Sequence, residues 1–305
     1  MQKGAPDRRA PFVWLDNCTK IITAMPSPKS ILLSAQAKAF ANWIENHVPF
    51  VRQWHRFAYE EHFFRVAKWE RLFHGVYPDF ATAAKAIPNR FNFGYDNSDA
   101  AAFLGQNASV RSSDYPVLFW LNRLLPQNHR VLDFGGYLGI SFRAYARLLK
   151  YPPDLTWTIY DVPAVVAKGT ELLTSHPEPA LSYTTDFAQA ANSDIVLAAG
   201  SLQFCERDFS EYLAALPRLP QHLLINKTPM TDGDPYVTLH SMGVALTPYR
   251  IFQEKQFVNS LAKLGYHLID QWKNEDFACM IPFDLDRSVN AFSGMYLTLE
   301  ATDRE

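Results

Sequence analysis

Cysteine is scarce in this sequence: Cys18, Cys205 and Cys279 are the only three in 305 residues, and no two form a Cys-x-x-Cys pair. An odd number of scattered thiols builds neither a disulfide framework nor a zinc knuckle and fits a reducing cytoplasm. An excess of charge of one sign is also missing. The 29 Lys and Arg against 31 Asp and Glu leave a formal net charge of −2, without the basic surplus of nucleic-acid binders. No apolar run approaches the ~18–20 residues that span a bilayer. Lys20, Pro26, Pro28 and Lys29 interrupt the region where a secretory segment would be apolar. Internal repeats and low-complexity segments are absent as well. The expectation is a cytoplasmic protein, neither exported nor membrane-spanning, with no nucleic-acid partner.

Hydrophobic residues make up 48% and charged residues 20%, the balance of a folded globular chain. The length suits one large α/β domain with an appendage, since domains usually hold ~100–200 residues. From Arg130 onward, short runs rich in β-branched residues alternate with helical patterns, the signature of βαβ units and a parallel sheet. Strands are expected at Arg130–Phe134, Thr156–Asp161, Leu181–Thr185, Asp194–Ala199 and His222–Asn226. Helical patterns lie between them, at Ser141–Lys150, Ala164–Ser175 and Asp208–Leu216. After a further helix over about Phe252–Leu264, stopped by Gly265, the runs Tyr266–Trp272 and Phe292–Leu299 have no helix-length segment between them. They read as an antiparallel pair. The fold class expected is α/β, a Rossmann-like sheet of five parallel strands plus a C-terminal antiparallel pair, with an N-terminal helical region.

The division expected is 1–108 for the helical, aromatic-rich region and 109–305 for the Rossmann-like domain. Residues 31–74 carry helical spacing and aromatics including Trp43, Phe50, Trp54, Phe57, Phe63, Phe64, Trp69 and Phe73, interleaved with Arg52, Arg56, Arg65, Lys68 and Arg71. Three readings stay open for this stretch: packing on the catalytic domain or on a second subunit in a homodimer, a lid over substrate, or shallow peripheral contact with a lipid surface. Asn89–Gln106 reads as loop, and Asp114–Leu125 as a helix leading into the first strand.

The strongest local signal is Val131-Leu132-Asp133-Phe134-Gly135-Gly136-Tyr137-Leu138-Gly139, a strand running into a glycine turn and then a helix. Glycine lets the backbone come close to a ligand. A dinucleotide fingerprint would need glycine at 134, 136 and 139, and position 134 is Phe. Asp133, directly before the glycines, would repel a pyrophosphate but suits the sulfonium and amino-acid moiety of S-adenosyl-L-methionine.

Asp161 stands 22 residues beyond Gly139 at the end of the second strand, where a carboxylate can accept hydrogen bonds from both ribose hydroxyls. Val162-Pro163 follows, with Pro placed to open a helix. At the end of the third strand Asp186 suits an exocyclic adenine amine and Phe187 could pack on the ring. After the fourth, Gly200, Ser201 and Gln203 fall below the transfer position. A Gly-Gly-x-x-Gly turn alone is weak, and the less favoured reading of Asp186 is as the cap of the next helix. Acids at three successive strand ends are harder to explain structurally.

At these residues the chain resembles a family of bacterial methyltransferases known mainly by motif, a branch of the class I S-adenosylmethionine-dependent enzymes. The resemblance runs from about Phe73 to Leu297. It rests on His74-Gly75-Val76-Tyr77-Pro78-Asp79-Phe80, Gly94-Tyr95-Asp96, Ser113–Trp120, the glycine turn, Tyr160-Asp161-Val162-Pro163 and Gly200–Phe204. Further matches are Asn226-Lys227-Thr228-Pro229, Pro248–Phe252 and Ser293-Gly294. It implies the class I methyltransferase sheet, the cofactor S-adenosyl-L-methionine and a transferase activity. It does not imply a substrate. Tyr137 stands where the general Asp-x-Gly-x-Gly-x-Gly pattern has its middle glycine, and is expected to narrow the methionine end of the pocket.

The leading expectation is O-methylation of a small molecule or glycan in a biosynthetic pathway. A non-catalytic protein keeping the fold as a binding platform, and a nicotinamide-dependent oxidoreductase or epimerase, are the alternatives. An acceptor hydroxyl needs a general base, for which His240 and the pair Asp114 and Tyr115 are candidates and Asp276 a weaker one. Lone histidines are as often core residues. Lys227 and Arg250 could bind an anionic substrate or serve as ordinary surface or buried charges. No metal site is expected.

Overall fold

A computed structural model describes residues 49–65, 71–88, 91, 93–103, 109–242 and 245–299. Trp43, Lys68, Trp69, Cys18 and the expected helical spacing before residue 49 lie outside them. The chain forms two compact units, Met1–Tyr59 and Glu60–Glu305. Of the first, Pro49–Tyr59 is described and is helical, in a helix whose bounds are Pro49–Arg65. Trp54 and Phe57 are exposed there.

In the second unit eleven strands are described in chain order: β1 (Leu72–Tyr77), β2 (Arg130–Phe134), β3 (Thr156–Tyr160), β4 (Leu181–Thr184), β5 (Ile195–Ala199), β6 (His222–Thr228), β7 (Met230–Thr231), β8 (Tyr236–Ser241), β9 (Leu246–Gln253), β10 (Tyr266–Asn274) and β11 (Phe292–Leu299). Seven of them make one sheet in the order β10-β11-β6-β5-β2-β3-β4. β4, β3, β2, β5 and β6 run parallel, while β11 is antiparallel to both β6 and β10. This is the expected Rossmann-like sheet, five parallel strands finished by an antiparallel pair.

Strand residues alternate between its faces. Val131, Trp157, Ile159, Ile195, Leu197 and Leu224 enter one apolar layer with the helix Tyr115–Leu124. Leu132, Phe134, Val196, Ala198, Leu223 and Ile225 enter the opposite layer with Phe209, Leu213, Phe257 and Leu261. Both faces are covered, as a parallel sheet requires. Helices Ile140–Tyr145, Pro163–Ser175, Phe209–Ala214 and Glu254–Ala262 occupy the expected places, all but the second being shorter than their sequence patterns.

A second sheet, β1-β8-β9-β7, was not legible beforehand. β1 pairs antiparallel with β8, and β8 with β9. Leu72–Tyr77 therefore includes residues expected to be helical, and Asn89–Gln106, expected to be loop, holds the helix Ser98–Phe103. β8 is buried along its whole length, so it lacks the period-2 alternation that marks a half-buried strand. Phe73, Tyr236, Tyr249 and Ile251 of this sheet form a third apolar cluster with Cys279, Ile281, Val289 and Phe292. Among the described residues no helix is long and apolar enough to cross a membrane.

Candidate functional site

The strand register sets the site. In-register pairing of β2 with β3 brings Asp133 opposite Ile159 and Phe134 opposite Tyr160, and the Gly135 N–H donates to the Tyr160 carbonyl at 2.7 Å. The Gly200 N–H likewise donates to the Asn226 carbonyl at 2.8 Å. The carboxyl ends of β2, β3, β5 and β6 thus finish nearly level and open into one cavity of about 910 Å³. Cavities that hold small molecules run ~300–1,000 Å³.

The glycine turn explains itself sterically. Gly135 has φ 68°, in the region where only glycine is unstrained, and a β-carbon there would stand 2.3 Å from the Ser201 Cβ. At Gly136 a β-carbon would stand 2.5 Å from the Asp133 Cγ. The turn therefore folds over the acid and leaves backbone, not side chains, at the cavity wall. Tyr137 adopts φ 53°, unusual for a residue with a side chain. Its hydroxyl donates to the carbonyls of Ala100 and Ala101, at 2.9 and 2.7 Å. Tyr137 does line the cavity, and its ring also ties the segment Ser98–Phe103 to the turn. That segment is held a second time by Asp96, whose carboxylate accepts the Ala164 N–H at 2.8 Å at the start of the helix Pro163–Ser175.

Two carboxyl groups face the cavity at adjoining strand ends. Asp133 is 1% exposed and accepts the Trp157 indole N–H at 3.2 Å. Burial raises its pKa to about 7, partly offset by that hydrogen bond, with the nearby Asp161 raising it further. Asp161 accepts the N–H groups of Tyr137 and Val162, each at 2.8 Å. Burial raises it to about 6 against the pull of those two bonds. Each oxygen keeps acceptor capacity for a ligand, since a carboxylate offers about four lone-pair sites.

Of the other residues expected at a cofactor, Gly135, Gly136, Val162, Gly200, Ser201 and Gln203 line the cavity. Gly139, Asp186 and Phe187 are not on its lining. Gly139 is the left-handed residue that opens the helix Ile140–Tyr145. Asp186 is exposed and its carboxylate accepts the Ala188 N–H at 2.9 Å, capping a short 3-10 turn. Phe187 is buried behind the wall, edge-on to Phe134 and Tyr160. Thr185 and Tyr160 stand on the lining at that end.

At the other end Asp114 and His240 also line the cavity, whereas Tyr115 is 60% exposed and off it. Lys227 donates to Asp114 at 2.5 Å, and Asp114 also accepts the Tyr145 hydroxyl at 3.2 Å. Lys227 has φ 52°, with a cause in the sheet. Ser293 pairs with Thr228 and Met295 with Ile225, so two residues of β6 oppose the single Gly294, a bulge that re-aims the strand end. Asn226, fully buried, pins the bulge. Its side-chain Oδ1 accepts from Trp272 at 3.0 Å and Asn274 at 2.9 Å, and its side-chain Nδ2 donates to the Ser113 carbonyl at 2.9 Å beside Asp114. Arg250, by contrast, is spent on Asp208 and the Glu206 carbonyl and does not line the cavity. Asp276 is exposed, accepts the Ser112 hydroxyl and is also off the lining.

His240 sits on β8, 2% exposed, stacked on Tyr249 with ring centroids 5.0 Å apart. Its Nδ1 is 3.2 Å from the Tyr95 hydroxyl and its Nε2 has no hydrogen-bond partner. Burial, reinforced by the positive charge of Arg71, holds its pKa well below the usual histidine value. Gln203 Oε1 is likewise buried without a partner. Buried polar atoms are seldom left so, and two on the wall of one cavity mark where a ligand's polar groups would go. Arg71, Tyr95, Arg111 and Phe277 were not legible from local pattern as lining residues; Tyr95 belongs to the segment Gly94-Tyr95-Asp96, but its nearness to His240 depends on the second sheet.

No family model and no curated protein matches the chain. Solved structures do. The 1,6-didemethyltoxoflavin-N1-methyltransferase of Burkholderia thailandensis, with its substrate and S-adenosylhomocysteine bound, shares 16% identity at a TM-score of 0.42, over 62% of this chain and 79% of that one. The CcbJ methyltransferase of Streptomyces caelestis shares 13% identity at a TM-score of 0.45, over 70% of this chain and 100% of that one. Magnesium protoporphyrin IX methyltransferase of Synechocystis, with S-adenosylmethionine bound, shares 12% at 0.40, over 61% and 77%. The likeness is one of fold.

Proposed function

We propose that this chain is an S-adenosyl-L-methionine-dependent methyltransferase, of the bacterial branch that its sequence resembles, acting on a hydroxyl of a small molecule or saccharide. The observation that carries this reading is the pair Asp133, buried, and Asp161, half-buried, at adjoining strand ends in one large cavity whose Gly135 and Gly136 have no room for side chains. Asp161 is placed for ribose hydroxyls. Asp133 is placed for the amino-acid and sulfonium end, and a cation there favours its ionised form over the protonated one that burial otherwise promotes. Gly135, Gly136, Tyr137, Val162, Gly200, Ser201 and Gln203 supply the remaining wall. Asp186 and Phe187 would need to move to reach the ligand, and Gly139 acts through the turn.

The cofactor supplies a methyl group on a positively charged sulfur. The protein's part is to place an acceptor oxygen in line with that carbon, at ~3–3.5 Å, and to remove its proton. With the ring proton on Nδ1, donated to the Tyr95 oxygen, His240 Nε2 would present a lone pair to the cavity and would take up the proton of an acceptor hydroxyl. Asp114 is engaged by Lys227 and Tyr145, so it holds Lys227 in place rather than acting as base. Tyr115 points away from the cavity lining and has no part in this scheme.

The test is incubation of the protein and methyl-labelled cofactor with fractionated cell extract, read by mass spectrometry. A labelled small molecule supports the reading. Binding of the cofactor with no labelled product from any fraction favours a binding protein that kept the fold.

A further inference from the structure

The two ends of the cavity carry opposite charge. Around the Phe277 ring stand three cations: the guanidinium carbon of Arg71 at 5.5 Å, that of Arg111 at 5.9 Å and the Lys227 ammonium at 5.7 Å from the ring centroid. All four residues line the cavity. Lys227 is neutralised by Asp114. Arg71 and Arg111 make no ion pair with any described carboxylate. The other acid on the lining beyond the cofactor pair, Glu206, is exposed, as are Arg71 and Arg111.

Arg71 is the better fixed. It lies over Phe73, Phe277 and Phe292 at 5.2 to 5.5 Å and donates one N–H to the Tyr249 hydroxyl at 3.1 Å. Four of the five guanidinium N–H groups are left for something else. Aromatic rings stabilise a cation but satisfy none of those donors. A pre-placed planar fork over apolar rings, lining the same cavity as His240, is built for an anion with two oxygens in a plane.

We infer that the acceptor is itself anionic: a carboxylate or phosphate monoester on the substrate is gripped by Arg71 and Arg111, which sets its hydroxyl toward His240. The inference rests on the methyltransferase reading for the word acceptor, while the anion site stands on its own geometry. The division of charge also sorts the ligands, since Asp133 and Asp161 repel an anion from the cofactor end and the arginines repel the cofactor's sulfonium from the acceptor end.

Thermal unfolding of the full chain with glucose 6-phosphate, glucuronate or neutral glucose tests it, alone and after saturation with S-adenosylhomocysteine. At least one of the two anions should raise the melting temperature of the wild type by several degrees, as a native-state ligand does, and glucose should not. The phosphate and carboxylate arms tell which group is preferred. The shift should vanish in the R71Q/R111Q variant and survive in part in R71K/R111K, which also serves if the glutamine variant does not fold. No shift with either anion, or the same shift in both variants, overturns the inference. S-adenosylhomocysteine should raise the melting temperature of every variant; if it raises none while the anion shift persists, the methyltransferase reading fails and the anion site remains.

Discussion

The Gly136 α-carbon lies against the Asp133 carboxyl group so closely that a β-carbon would stand 2.5 Å from Cγ and 2.6 Å from Oδ2. The acid and the glycine therefore form one unit, with no room for a side chain at 136 beside the one at 133. Gly136→Ala should cost about 1–3 kcal/mol of stability from overpacking and weaken S-adenosylhomocysteine binding roughly tenfold or more, a loss of ~1.4 kcal/mol or above. Urea unfolding and isothermal calorimetry read the two effects. Unchanged affinity would mean that the turn does not touch the ligand.

Asp133 and Asp161 should make the ligand-free protein less stable as the pH rises. Their pKa values, about 7 and about 6 in the folded chain, exceed the ordinary aspartate value, so the native state holds protons that the unfolded state has lost. The stabilisation this gives is complete below pH ~4 and disappears as the pH rises through 6 to 7. From these two groups alone, the melting temperature should fall between pH 5 and pH 8. Asp133→Asn should flatten that dependence and raise the melting temperature at pH 8, where ~1 kcal/mol corresponds to ~2–4 °C for a domain of this size. A dependence of the same size in D133N would remove Asp133 from the explanation.

His240→Gln should lower kcat about 10²-fold, the usual contribution of a positioned proton acceptor, while S-adenosylhomocysteine binds as before. Because burial and Arg71 keep the ring neutral, no loss of activity from His240 protonation is expected between pH 6 and 8. An intact kcat in H240Q would leave His240 as a packing residue of the second sheet.

Asn226→Ala should destabilise the fold by roughly 2–4 kcal/mol, because it strands the buried donors of Trp272 and Asn274 and the Ser113 carbonyl. It should also release Lys227 from its strained conformation. A variant with normal stability would show that the bulge holds itself.

Much of the sheet could be read from the sequence because its signals are local. β11 was expected with the bounds it has, and β2 through β6 within two residues, since each is a short apolar run set off by turns or helix caps. The Asp133 and Asp161 placements followed from the same strand ends. Asp186 reads identically at that level; only the structure shows its carboxylate turned to the Ala188 N–H. The second sheet escaped because β8 is buried on both faces and β1 lies in an aromatic run whose spacing mimics a helix. With it went the acceptor end of the cavity. Arg71 meets Phe277, and Tyr95 meets His240, across separations of 206 and 145 residues, through pairings that no local pattern encodes.

The most direct measurement is calorimetric titration of S-adenosylhomocysteine into the wild type and Asp161→Asn at pH 8, with NAD as the comparison ligand. The account predicts one site per chain in the wild type, affinity reduced at least tenfold in D161N, and no heat from NAD. Binding of NAD without S-adenosylhomocysteine, or equal affinity in both proteins, would contradict it.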